Sequence, residues 1–225
     1  MADRIDREHH LVVHGDAHQA SPDEAAPAVD EHGKDEAGEE PELGRAVDGN
    51  HEPVFEEAAA PGRPYGITVT GDALRVVVGD SEDGGADDRF IRRYIMGKAF
   101  KTEAIRCPAG TGSFLAYDGD RLYLSQRDNK CILELDEAGA VLRTISVPRQ
   151  VTGMVIVAGK FYLVTTQSRT IDDYRLLCID ARKEEPAVVE LATIPFGARS
   201  LGFDGTKFWT NCRAENTLVA FAKPA

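Results

Sequence analysis

DGDRLYLSQRDNKCILELDEAGAVLRTI, residues 118–145, is the stretch whose reading decides the fold. It opens on Asp-Gly, a turn dipeptide suited to positive φ, and then runs into three short segments rich in aliphatic, aromatic and β-branched residues. Polar turn residues separate the segments, so each reads as a strand and each gap as a tight connection. With the preceding SFLAY (113–117) the unit has four strands, and the Asp-Gly joins the first two as a hairpin.

The unit repeats. A first strand, a Gly-containing turn and a second strand occur as GITVTGDALRVVVGD (66–80), SFLAYDGDRLYLSQ (113–126), GMVIVAGKFYLVTT (153–166) and SLGFDGTKFWTN (200–211). The turn glycines Gly71, Gly119, Gly159 and Gly205 are spaced by 48, 40 and 46 residues. A third strand follows each pair: FIRRYI (90–95), CILELD (131–136), YRLLCID (174–180) and TLVAFA (217–222). A fourth ends on proline, which lacks the donor that pairing needs: TEAIRCP (102–108), VLRTISVP (141–148) and VVELATIP (188–195). A period of roughly 40–45 residues with four strands is the pattern of an all-β propeller. A β-sandwich fits the strand count but not the repeat.

Residues 118–145 and FDGTKFWTNCRAENTLVAFAKP (203–224) resemble blades of the NHL and YVTN type, and the resemblance covers residues 53–225. It implies a propeller domain without implying a function, since such blades serve unrelated purposes. Families of that type carry more blades than this chain. Proline-terminated PVFEEAAAP (53–61) reads as a fourth strand without its first three, whereas the last repeat stops after its third. The two fragments complement each other, so an N-terminal strand is expected to latch the last blade, giving about four blades. The alternative is a ring completed by a second copy, a homo-oligomer.

Charge separates the domain from its leader. The formal net charge is −12, yet residues 1–60 hold 17 Asp+Glu against 4 Lys+Arg, so −13, and the remainder is +1. All six histidines fall in the first 51 residues. Residues 1–52 thus read as an acidic, His-containing tail. Its Ala-, Pro-, Gly- and Glu-rich part (16–50) has too little apolar surface to offset ordering entropy and is expected to be disordered. LVV at 11–13 is the only apolar patch in the first 15 residues. The acidity argues against nucleic acid, and no apolar run reaches the roughly 18 residues of a membrane helix. MADRIDREHH lacks the apolar core of a secretory signal. Cys107, Cys131, Cys178 and Cys212 form no CxxC pair and are expected as separate thiols in the cytoplasm.

In a four-stranded blade, the links from a fourth strand to the next first strand share an end with the loops between second and third strands. Propellers commonly bind ligands on that face. The links offer Tyr65, Thr111, Ser113, Thr152, Arg199 and Ser200; the loops offer Asp80, Glu82, Gln126, Arg127, Asp128, Gln167, Arg169, Asn211 and Arg213. Tyr65, Ser113, Gln126, Arg127, Gln167, Arg199, Asn211 and Arg213 are the ligand-binding candidates, with the arginines suited to a carboxylate.

Three functional readings follow. The first is a non-catalytic module for a small polar ligand or a protein partner, because Arg, Gln, Asn, Ser and Thr bind well but are poor general acids and bases near neutrality. The second is an enzyme of lyase, cyclotransferase or lactonase type, with Asp80 or Glu82 as base and a divalent metal as cofactor. With no histidine after His51, a Ser-His-Asp triad inside the domain is excluded. The third is transition-metal binding by His10, His14 and His18, which stand four residues apart and would share a helix face. The acidic run GDSEDGGADD (79–88) lacks the closing Glu of an EF-hand loop and reads as a solvated turn.

Overall fold

The structure is a computed structural model. It describes the backbone of residues 12–13 and residues 58–71, 73–79, 88–168, 170–183 and 186–224. Blade I comprises β2 (Arg63–Thr70), β3 (Ala73–Gly79), β4 (Arg89–Ile95) and β5 (Phe100–Arg106). Blade II comprises β6 (Leu115–Tyr117), β7 (Leu122–Gln126), β8 (Cys131–Leu135) and β9 (Val141–Ser146). Blade III comprises β10 (Gln150–Val157), β11 (Lys160–Thr166), β12 (Tyr174–Asp180) and β13 (Val188–Ile194). In blade IV, β14 (Gly202–Phe203), β15 (Lys207–Cys212) and β16 (Thr217–Ala222) are joined by β1 (Val12–Val13), which pairs antiparallel with β16. Every sheet is antiparallel, blades I to III as meanders and blade IV with the N-terminal β1 as its outer strand, so the chain is an all-β propeller of four four-stranded blades.

The latch is where the expectation needs correction. An N-terminal strand does complete the last blade, but it is Val12–Val13, with Val12 opposite Val219 and Val13 opposite Leu218. Of the segment 53–61, residues 58–61 carry no strand and 53–57 lie outside the described residues. The physical reason is β propensity. Two consecutive valines suit an extended edge, whereas Ala58, Ala59 and Ala60 run into a proline that cannot donate. Apart from Val12–Val13, the acidic tail lies outside the described residues.

Successive inner strands pack on one another: β2 on β6, β6 on β10 and β10 on β14. Three apolar clusters fill the spaces between blades. Val77 and Ile91 of blade I meet Leu115, Leu124 and Leu133 of blade II. Tyr123 and Ile132 of blade II meet Met154, Phe161 and Ile179 of blade III. Tyr162, Val164 and Leu176 of blade III meet Phe208 and Phe221 of blade IV. Aromatic rings carry part of this packing, with Tyr123 edge-on to Phe161 at 4.9 Å and Tyr162 against Phe208 at 4.7 Å.

The repeat has a longer period than one blade. Gly66 recurs as Gly153, Pro108 as Pro195 and Ser113 as Ser200, each 87 residues on. Asp118 recurs as Asp204 and Tyr123 as Trp209, each 86 residues on. The recurrences have physical content. A Cβ on Gly153 would lie 2.5 Å from the Ser200 carbonyl carbon, and one on Gly66 would lie 2.7 Å from the Phe114 Cα. Glycine there lets the next blade's chain press close. Asp118 Oδ1 accepts the N–H groups of Asp120 and Arg121 at 2.9 and 2.8 Å, while Oδ2 accepts the Tyr123 hydroxyl at 2.9 Å. Asp204 does the same with Thr206, Lys207 and the Trp209 indole N–H, at 2.8, 2.7 and 2.6 Å. The Asp-Gly turns are therefore loops of four residues (118–121) and three residues (204–206) tied by the aspartate, rather than two-residue hairpins. Blades I and III are one type, blades II and IV the other.

Candidate functional site

The fourth-to-first links and the second-to-third loops do share an end, because hydrogen bonds join them within each of three blades. In blade II the Gln126 amide donates to the carbonyls of Pro108 and Thr111, at 2.6 and 2.9 Å. In blade III Arg149 donates to Gln167 Oε1 at 3.2 Å and to the Asp173 carboxylate at 2.5 Å. In blade IV the Arg213 N–H donates to the Gly197 carbonyl at 3.1 Å.

These bonds sort the ligand candidates. Gln126 is buried, and its oxygen accepts from Asn129 at 2.8 Å, so its amide is consumed in closing the blade II link. Tyr65 lies half-buried beneath the Arg89 guanidinium, 3.9 Å from ring centroid to Cζ. Arg89 also donates to the Gly112 carbonyl and, at 3.5 Å, to the Ser113 hydroxyl. Tyr65 and Ser113 are thus brought together by an arginine that bridges blades I and II. Arg127 is half-buried and Gln167 exposed. Thr152 donates to the Val164 carbonyl and, across to the blade IV link, to the Ala198 carbonyl, at 3.2 and 3.0 Å.

Blade IV differs. The Asn211 carboxamide oxygen accepts the Arg199 N–H at 2.9 Å and the Ser200 hydroxyl at 3.1 Å, which fixes the link and leaves the Arg199 side chain outside. Arg199 and Arg213 are both exposed. Arg213 lines a pocket of about 440 Å³ together with Asn211, Cys212, Asn216, Thr217 and Leu218. The Thr217 hydroxyl in its wall is buried with no hydrogen-bond partner among the described residues. A buried donor without a partner is costly, and a bound polar group would relieve it.

A larger pocket, about 530 Å³, lies at the opposite end, between blades II and III, with Asp118, Glu134, Arg143 and Arg182 in its walls. Its charges are already spent. Arg143 meets Glu134 at 3.0 Å and donates to the carbonyls of Ala181 and Lys183 at 2.6 and 2.7 Å, stapling blade II to blade III. Arg182 meets Asp180 at 3.3 Å. Size and chemistry disagree here, and chemistry favours the smaller blade IV pocket.

Four aspartates and three thiols have displaced proton affinities, Asp180 being lowered by hydrogen bonds from the Arg182 side chain and N–H. Burial opposes the Asp173 charge, but the Gln167 N–H, Arg149 and Thr166 outweigh it and hold the carboxyl down at about 2. The N–H of Lys207, the Trp209 indole and the N–H of Thr206 hold Asp204 down to about 2. Asp118 is lowered as well, with the N–H groups of Arg121 and Asp120 overcoming burial. Burial pushes the Cys107 thiol up to about 12 and raises Cys131 and Cys178 too. The lowered carboxylates are poor bases, and the raised thiols stay protonated near neutrality. All four cysteines are unpaired. Asp80, Glu82, Arg169, His10, His14 and His18 lie outside the described residues. Among the described residues no group of three His, Cys, Asp or Glu is placed to hold a metal ion. Among them, too, no helix is long and apolar enough to cross a membrane.

Arg149 and Arg89 were missed from the sequence. Arg149 directly follows Pro148, a link position like those already singled out, and that placement was the available signal. Arg89 begins a third strand, and nothing in its spacing marks it as a bridge.

No protein-family model matches the chain, and no curated protein matches it in sequence. Solved structures do. Luciferin-regenerating enzyme is similar over 71% of this chain and 61% of its own, at 15% identity and a TM-score of 0.51. A chain of the nidogen/laminin complex is similar over 71% of this chain and 75% of its own, at 12% identity and 0.50. Myxococcus xanthus glutaminyl cyclase is similar over 68% of this chain and 63% of its own, at 16% identity and 0.48. This chain thus spans less than two-thirds of the first and the last. At these identities the likeness concerns the propeller fold alone, which serves enzymes and binding proteins alike.

Proposed function

We propose that the chain is a binding propeller, with blades of the NHL and YVTN type, that takes a small polar ligand carrying a carboxylate or similar anion at the blade IV rim. One observation carries this reading. The exposed Arg213 lines a pocket whose wall also holds the Asn211 carboxamide and a buried Thr217 hydroxyl without a partner among the described residues, and the exposed Arg199 is tied by its N–H to that same Asn211. Guanidinium is a planar fork suited to carboxylate, and the hydroxyl and amide would fix its orientation. The lowered proton affinities of Asp118, Asp173, Asp180 and Asp204 suit anchoring over general-base chemistry. Four unpaired thiols suit a reducing compartment, which favours the cytoplasm.

The test is calorimetric titration of the full chain with a panel of small mono- and dicarboxylates, alongside uncharged amides of the same compounds. Binding of at least one acid, no binding of its amide, and a loss of tenfold or more in Arg213→Ala are expected. Equal binding of acid and amide, or an unaffected Arg213→Ala variant, contradicts the assignment.

A further inference from the structure

The 87-residue recurrence makes one junction the template for another. Between blades II and III, Ile132 is 0% and Met154 5% exposed, and both share a cluster with Tyr123 and Phe161, against which Ile156 packs. Strand register fixes the counterparts. Gly153, Met154 and Ile156 of β10 correspond to Gly66, Ile67 and Val69 of β2, and Val69 faces Leu74 as Ile156 faces Phe161. Tyr123 corresponds to Trp209. Ile132, opposite Ser125, corresponds to Leu218, opposite Asn211.

A junction built from these counterparts would place blade IV against a blade I. Yet Ile67 is 59%, Val69 58% and Leu218 51% exposed. Among the described residues no strand of blade IV packs on blade I as the other inner strands pack on their successors, and no apolar cluster joins these two blades. Among the described residues the chain carries both halves of a junction, and their apolar groups share no cluster. Large exposed apolar groups set apart in this way mark an interaction surface.

We propose that a second copy of this chain covers both faces, blade IV of each copy packing on blade I of the other, so that two chains close one eight-bladed ring about a two-fold axis. Closure follows from the symmetry. One rotation makes both junctions identical and leaves neither blade I nor blade IV bare, as closed oligomers require. The polar fringe agrees. Across the II–III junction Gln150 donates to Asp128 at 3.2 Å. The counterpart of Gln150 is Arg63, and Glu215 stands next to the counterpart of Asp128, so opposite charges would meet at the same place. The second copy is the occupant these observations select, because the complementary halves sit on one sequence.

The test is sedimentation of the full chain at micromolar concentration. A mass twice the 24.5 kDa of one chain is expected. Ile67→Glu and Leu218→Glu, on opposite faces of the junction, should each give the mass of one chain with an unchanged far-ultraviolet circular dichroism spectrum. Val189→Glu, equally exposed at 51% but on the outer strand β13, should keep the double mass. A single-chain mass for the wild type, or a dimer that survives both junction substitutions, overturns the proposal. So does one that Val189→Glu dissolves, because the contact would then lie elsewhere.

Discussion

Blades II and IV are built on the same plan and end differently. Each has a serine two residues before its first strand, an aspartate-tied turn and an aromatic side chain hydrogen-bonded to that aspartate. Tyr123 of blade II is buried against Phe161, whereas Trp209 of blade IV is half-buried with no following blade against it among the described residues. The same contrast separates Ile132 from Leu218. Local sequence therefore sets the shape of a blade, and the neighbour sets whether its far face is interior or surface.

The comparison can be broken most severely at the filled junction. Phe161→Ala should cost about 3–5 kcal/mol in urea unfolding, since a fully buried ring leaves a cavity between two sheets. Gly153→Ala should cost about 1–3 kcal/mol, because its Cβ would push into the Ser200 backbone. A neutral Gly153→Ala would mean that the close approach of blades III and IV is not required. Asp118→Ala should lose about 1 kcal/mol through its turn and tyrosine bonds. Asp204→Ala should be milder, as its partner Trp209 is half-buried where Tyr123 is buried. Arg213→Ala should leave stability within about 0.5 kcal/mol while abolishing anion binding, which separates a binding group from a structural one.

Acid titration adds a further comparison. Asp204 and Asp173 are held at about 2, below the roughly 3.9 of an unfolded aspartate. Their stabilisation is complete above about 4 and is lost as pH falls toward 2, because the unfolded chain then takes up protons first. Asp173→Asn should flatten that part of the stability profile. An unchanged slope would remove Asp173 from the account.

Most of the architecture was legible because each blade announces itself locally. Asp-Gly, a β-branched run and a terminal proline follow from backbone chemistry and need no tertiary information. The latch was harder. A strand of two residues, Val12–Val13, leaves almost no periodic signal, and PVFEEAAAP offered a better-looking proline. The two-blade period is masked in the sequence because turn lengths differ: spacings of 48, 40 and 46 disguise recurrences that Gly66, Pro108 and Ser113 show plainly. Of the ligand candidates, Arg199, Asn211 and Arg213 gather at one place. Gln126 is absorbed by a backbone link, a role no single sequence distinguishes from ligand binding.

Trp209 is the sole tryptophan, so its fluorescence reports this face of blade IV directly. Acrylamide quenching of the full chain should be weak in the wild type and markedly stronger in Ile67→Glu, where the substitution lies on the opposite blade. Equal quenching in the two proteins would show that no blade I ever covers Trp209, and would contradict the reading of blade IV as half of a junction.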